Sequence, residues 1–265
     1  MGRELQRLKR RKATTKHMEE LLDHASTTLV VHYSCESFYD RTDGKTPRVT
    51  SIAVRNLASG QTDSFSIHHI AEQQELPFGE IHEHYDTLER QMLNQYFAFV
   101  TSHQHFSWVH WNMRDVNYGF AAIEHRYRSL GGNPVLIPED RKFDLARALV
   151  DLFGVGFIGH PRLENLIDKN KITKRDFLSG IEEAAAFDNK EYVKLHQSTL
   201  RKVDILANLF ERTSNDSLLT NATWVEKYGF SPRVLGELIK DHPIISFFGA
   251  AAAILTIIVR VKELL

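Results

Sequence analysis

The spacing of apolar positions divides the chain into a strand-rich first part and a helix-rich remainder. Thr28 to Ser34 (TLVVHYS) is a β-branched run that predicts a buried strand, and Val49 to Leu57 (VTSIAVRNL) alternates as a second strand does. Ser59-Gly60 marks a turn, and Thr62 to Ile67 completes a three-strand meander before Pro77 and Gly79 break the chain. Ile81, Tyr85, Leu88, Met92, Tyr96 and Phe99 then recur at three- and four-residue spacing, which is one apolar helix face. Phe106 to Trp111 (FSWVHW) predicts a fourth strand, followed by a helix from about Asp115 to Ser129 that stops at Gly131-Gly132-Asn133-Pro134. Phe143 to Phe153, Thr173 to Phe187 and Ser198 to Arg212 all carry helical periodicity, and Ser214-Asn215-Asp216-Ser217 reads as a linker.

One segment has no polar face at all. Pro243 to Val259 (PIISFFGAAAAILTIIV) is seventeen residues without a charge, bounded by Lys240, Asp241 and His242 before and by Arg260 and Lys262 after. A spanning helix needs about twenty apolar residues with a lower limit near seventeen, and the stem of Arg260 extends the reach, so this run predicts one transmembrane helix. Its Phe247 and Phe248 precede the small residues Gly249, Ala250, Ala251, Ala252 and Ala253, which let membrane helices approach closely and favour self-association. A lone helix cannot line a pore, so any ion channel would need a homo-oligomer around an axis.

Composition narrows the class further. At 265 residues, with 42% hydrophobic and 25% charged positions, the chain can bury a core and is not disordered or fibrous. The net charge of -1 hides an asymmetry: Arg3, Arg7, Lys9, Arg10, Arg11, Lys12 and Lys16 face Glu4 alone in the first sixteen residues. Such a block suits phosphates or anionic lipid. The single Cys35 excludes an internal disulfide framework and fits a reducing compartment. With no apolar stretch behind the basic start, no cleaved signal peptide is expected, and the bulk of the chain is placed on the cytoplasmic side of an inner (cytoplasmic) membrane. The organisation expected is a basic helical segment (1–27), an α/β domain (28–213), a linker with short helices (214–242) and the membrane helix (243–261).

The chemistry sits at the strand ends. Ser34-Cys35-Glu36 closes the first strand, His110-Trp111-Asn112-Met113-Arg114-Asp115 follows the fourth, and Asp204 lies in the late helix STLRKVDILANLF. In this order the chain resembles the DEDD family of 3′ to 5′ exonucleases over roughly residues 28 to 212. That family opens on Asp-x-Glu, continues with His-Asn-x-x-Phe-Asp, and closes with an Asp preceded by His at five or Tyr at four positions. Glu36, His110, Asp115 and Asp204 fit; Ser34 replaces the first Asp, the Asn is moved by one, and Thr199 and Leu200 stand at the two base offsets. The resemblance implies an RNase H-like mixed sheet with flanking helices. In active members it also implies two divalent metals held by clustered carboxylates.

Those departures imply a degenerate site. Ser34 offers only a neutral oxygen, and His196, eight residues ahead of Asp204, is nearly a helical turn away from the family spacing for a base. No catalytic residue and no cofactor are therefore expected, with Glu36, Asp115 and Asp204 holding Mg²⁺ or Mn²⁺ only if the chain is an active enzyme. A groove that binds without cutting is a sensor, and Phe38, Tyr39, Trp111, Asn112 and Arg114 are the candidate contacts to single-stranded DNA, the aromatics by stacking and the others on phosphates. The pairs His82-x-His84, His103-x-His105 and His68-His69 lack a recognised zinc spacing, Gly154-Val155-Gly156 lacks a third glycine, and Ser198 lacks a nucleophile elbow. Kinase, Rossmann and hydrolase chemistry are thereby excluded.

An exonuclease-like domain joined to one small-residue membrane helix resembles prokaryotic anti-phage effectors, and most nearly the membrane effector of Hailong-type defence systems. That resemblance implies an oligomer held inactive by a single-stranded DNA oligomer, which a partner nucleotidyltransferase makes, and which disrupts the membrane once the DNA is removed. The alternatives are an active membrane-tethered metal-dependent 3′ to 5′ exonuclease and a membrane scaffold.

Overall fold

The computed structural model describes residues 3–37, 46–115 and 117–223. Phe38 and Tyr39, and the segment 243–261 with Phe247, Phe248, Gly249, Ala250 and Ala253, lie outside the described residues, as does most of the linker. Among the described residues no helix is long and apolar enough to cross a membrane.

The centre is a strand buried on both faces. β1 (Thr28–Cys35) sends Leu29, Val31 and Tyr33 into one core and Val30 into the other, so its continuous apolar run reflects two covered faces rather than one. β2 (Val49–Asn56) pairs with it antiparallel, Ser51 opposite Ser34, and β3 (Thr62–Ser66) extends the meander outward. On the other side β4 (Ser107–His110) runs parallel to β1, and β5 (Lys142–Asp144) parallel to β4. The result is a five-stranded mixed sheet in the order β3-β2-β1-β4-β5, an α/β architecture consistent with the RNase H-like arrangement expected from the sequence.

Helices cover both faces. α2 (Ile67–Gln73), α3 (Tyr85–Ser102) and α4 (Phe120–Ser129) fill one side with Ile70, Leu88, Met92, Tyr96 and Ile123. The other side holds α1 (Arg3–Asp23), α5 (Leu145–Phe153) and α6 (Arg162–Lys169), joined by the long α8 (Tyr192–Ser214) through Met18, Leu149, Leu166 and Leu206. The short α7 (Gly180–Asp188) lies against β1 and α8.

Several boundaries differ from the periodicity, each for a local reason. The apolar run expected to open a helix at Phe143 begins as β5, because Asp144 caps the helix behind it by accepting from the backbone N–H groups of Ala146 and Arg147. The helix expected from Asp115 starts at Phe120: Arg114 and Gly119 are joined by an isolated antiparallel bridge just before it, with Gly119 at φ +152°. The helix expected at Thr173 starts after Ser179, whose side chain and Glu182 form a reciprocal capping box. The predicted start at Ile81 moves to Tyr85, and Ile67 opens α2 instead of closing β3. α8 begins six residues earlier than Ser198 and α6 was not expected.

Candidate functional site

The carboxyl ends of the parallel strands β1, β4 and β5 share one edge of the sheet, where ligands of open α/β sheets usually bind. Ser34 and Glu36 stand at the first of these ends, His110 at the second and Asp144 at the third.

Ser34 is buried, 1% exposed, and its hydroxyl donates to a Glu183 carboxylate oxygen at 2.9 Å. Thr199 Oγ1 lies 2.9 Å from Ser34 Oγ and 2.6 Å from Ser51 Oγ, and Ser198 donates to the same Glu183 oxygen at 3.0 Å. Lys202 Nζ closes the group, 2.7 Å from the other Glu183 oxygen. Ser198, Thr199 and Lys202 arise from one face of α8, and Glu183 reaches in from α7. Four neutral hydroxyls, one carboxylate and one ammonium are thus satisfied by one another. A divalent pair needs a dense cluster of carboxylates, whereas this wall has one, already matched by a cation on the chain itself.

The residues expected to hold metal are not gathered. Glu36 is engaged by Arg48, whose guanidinium donates to both carboxylate oxygens, at 3.0 and 3.2 Å, and sits over the rings of Tyr85 and Phe187. Asp115 is exposed and organises its own turn, accepting from the Asn117 N–H at 2.8 Å. Asp204 pairs with Arg55 at 3.1 Å. Because Arg55 stands opposite Val30, and Ser51 opposite Ser34, Asp204 belongs to the far end of the strands. Five residues of helix carry it about 7.5 Å beyond Thr199. Among the described residues no group of three histidine, cysteine or acidic side chains is placed to hold a metal ion.

His196, considered above as a replacement base, packs against α2 and β3. Its ring lies against those of His68 and His69, with centroids 5.1 and 4.9 Å away, and Ser64 Oγ is 3.4 Å from Nε2. Burial, reinforced by those two rings, pushes its pKa down to about 3.

Of the candidate DNA contacts, Trp111 is 8% exposed and belongs to the buried core cluster on the α1, α5 and α8 side of the sheet, contrary to the groove-facing position expected of it. Asn112 and Arg114 are exposed on the turn after β4, Asn112 at φ +54°. Arg114 is tied to Asp144, and the Asn112 N–H donates to the same carboxylate at 3.3 Å. His110 is buried, its Nδ1 accepting from the Met113 N–H at 3.2 Å, and burial pushes its pKa down to about 4. Beside it opens a cavity of about 410 Å³ whose walls include His17, Arg114, Lys142 and Arg147.

The sequence reading missed Glu183, Lys202, Arg48 and Asp144. One signal was present: Ser198, Thr199 and Lys202 interrupt the apolar face of α8 at helical spacing, and polar residues on a buried face must find partners. Glu183 carried no signal, because its side-chain partners are fixed only when α7 docks. No protein-family model, curated protein or solved structure matches the chain.

Proposed function

We propose that this chain is an RNase H-like, non-cleaving binder of single-stranded nucleic acid, tethered to a membrane by the helix read at 243–261. The observation that carries this reading is the Lys202 ammonium, 2.7 Å from Glu183 and within the hydroxyl network of Ser34. A cation fixed there by the protein offsets the one local carboxylate and leaves no acidic cage for the ions that would activate water. Glu36, bound by Arg48, and Asp204, at the other end of the strands, support the same conclusion.

A binding domain joined to a self-associating membrane helix gates only if its ligand prefers one state of the oligomer. Moving the equilibrium from mostly open to mostly closed takes about 5 kcal/mol of preference, within reach when several chains each bind one strand end. This favours the anti-phage effector reading, with a single-stranded DNA oligomer as the closing ligand.

The test uses the full chain in detergent with end-labelled single-stranded DNA and Mg²⁺ or Mn²⁺, scored for binding and cleavage together. Binding without shortening is expected. Progressive shortening lost in Asp115→Ala would make the chain an enzyme, and absence of both signals would leave the scaffold. In liposomes, leakage that falls when DNA is added supports gating, and leakage indifferent to DNA overturns it.

A further inference from the structure

The proposed function does not say which surface holds the strand, and the vestigial centre is a poor candidate, because Ser34, Ser198 and Thr199 are all at most 1% exposed. The open concavity lies farther along the same sheet edge, between the carboxyl ends of β4 and β5 and the flank of α1. Three carboxylates line it, and each is already matched. Arg114 binds Asp144, Lys142 binds Glu139, and Arg10 of α1 reaches Asp151 at 3.2 Å. Arg147 lines the same cavity, is exposed, and has no acidic partner among the described residues.

The helix continues this chemistry outward. Thr14 and His17 line the cavity, and Arg10 and Arg7 precede them at four- and three-residue spacing, so the four share one helix face. From Arg7 to His17 that face runs about 15 Å along the axis. Resting on the reading above, we propose that the β4–β5 cleft and this face of α1 form one track for the backbone phosphates of a single-stranded nucleic acid, with Arg7, Arg10 and Arg147 as its cationic contacts. A positively charged groove that follows the backbone is how unpaired strands are held without sequence preference. An anionic membrane fits the same surface less well. Surface-lying helices insert an apolar face, and here Met18 and Leu21 are each 3% exposed, packed in the core with α5 and α8.

The full chain in detergent would be titrated against 5′-fluorescein-labelled oligo(dT) over a range of KCl concentrations, comparing wild type with the triple variant Arg7→Gln, Arg10→Gln, Arg147→Gln. Each lost phosphate contact lowers the slope of log affinity against log salt by about 0.7 for single strands, so a flattening of about two is expected, with affinity weakened about tenfold or more near 0.1 M salt. Arg10 holds Asp151, so the single variant Arg147→Gln, which breaks no ion pair, is measured beside it; a flattening of about 0.7 is expected there. Unchanged affinity and slope in both variants, with wild type binding the oligomer, overturns the track and leaves the proposed function standing. Failure of wild type to bind any oligomer removes both. Loss of binding only to anionic phosphatidylglycerol vesicles, with DNA affinity unchanged, assigns the arginines to lipid and overturns the track.

Discussion

Lys202 Nζ lies 2.7 Å from a Glu183 carboxylate oxygen, both side chains largely buried and joined through Glu183 to the hydroxyls of Ser34 and Ser198. Removing one member of such a pair strands the other charge away from water. Lys202→Ala is therefore expected to cost about 3 to 5 kcal/mol in urea unfolding, and Glu183→Gln added to Lys202→Met to recover most of it. A cost under about 1 kcal/mol for the single change would mean that water reaches the pair and that it does not organise the site.

The same pair bears on reactivation. Ser34→Asp restores the expected first carboxylate yet sets it against Glu183, whose oxygen accepts from the present hydroxyl at 2.9 Å, with Lys202 still in place. No Mn²⁺-dependent cleavage of labelled single-stranded DNA is expected from this single substitution, nor a Mn²⁺-dependent rise in melting temperature. Activity in Ser34→Asp would show that the ammonium does not stand where the ions need to be.

Gly119 fixes the turn that carries Asn112, Arg114 and Asp115. At φ +152° a side chain is strained, and a Cβ there would meet the Met113 carbonyl carbon and oxygen at 2.5 Å, atoms that cannot rotate aside. Gly119→Ala is expected to destabilise the fold by roughly 2 kcal/mol or more. Because the turn has to move, the loss in thermal unfolding should be accompanied by a change in the fluorescence of Trp111, at the start of the same turn.

Acid should loosen the contact between α2 and α8. Burial, with His69 beside it, holds the His68 pKa down at about 4, and His196 is at about 3. An unfolded imidazole takes its proton near pH 6.5, so below that value the unfolded chain binds more protons than the native one. Stability then falls as pH falls from about 6.5 towards 4, by up to about 1.4 kcal/mol per pH unit for each histidine, and the His68 and His196 contributions level off near their folded pKa values. His32, buried without a hydrogen-bond partner among the described residues, moves in the same direction. His196→Leu is expected to flatten the urea-midpoint profile between about pH 5 and 7; an unchanged profile would mean that the cluster takes up protons in the native state without cost.

The sequence by itself determined the strands β1 to β4 and, apart from their exact starts, the helices α3, α5, α7 and α8, since alternation, β-branched runs and three-to-four spacing act within a few residues. β5 was hidden because three residues paired with β4 show no alternation, and only the partner strand makes them a strand. Ser34 and Glu36 at the end of β1 were also legible, because a strand end is a local property. What those residues do was decided by tertiary structure: Ser34 meets Glu183 across 149 positions and Thr199 across 165, and Asp204 leaves the group because α8 carries it along the strands to Arg55. Residue types at motif spacing follow from the chain alone. Whether their charges converge on one point depends on helix docking and register, which hydrophobic burial over the whole sheet sets and no short segment encodes.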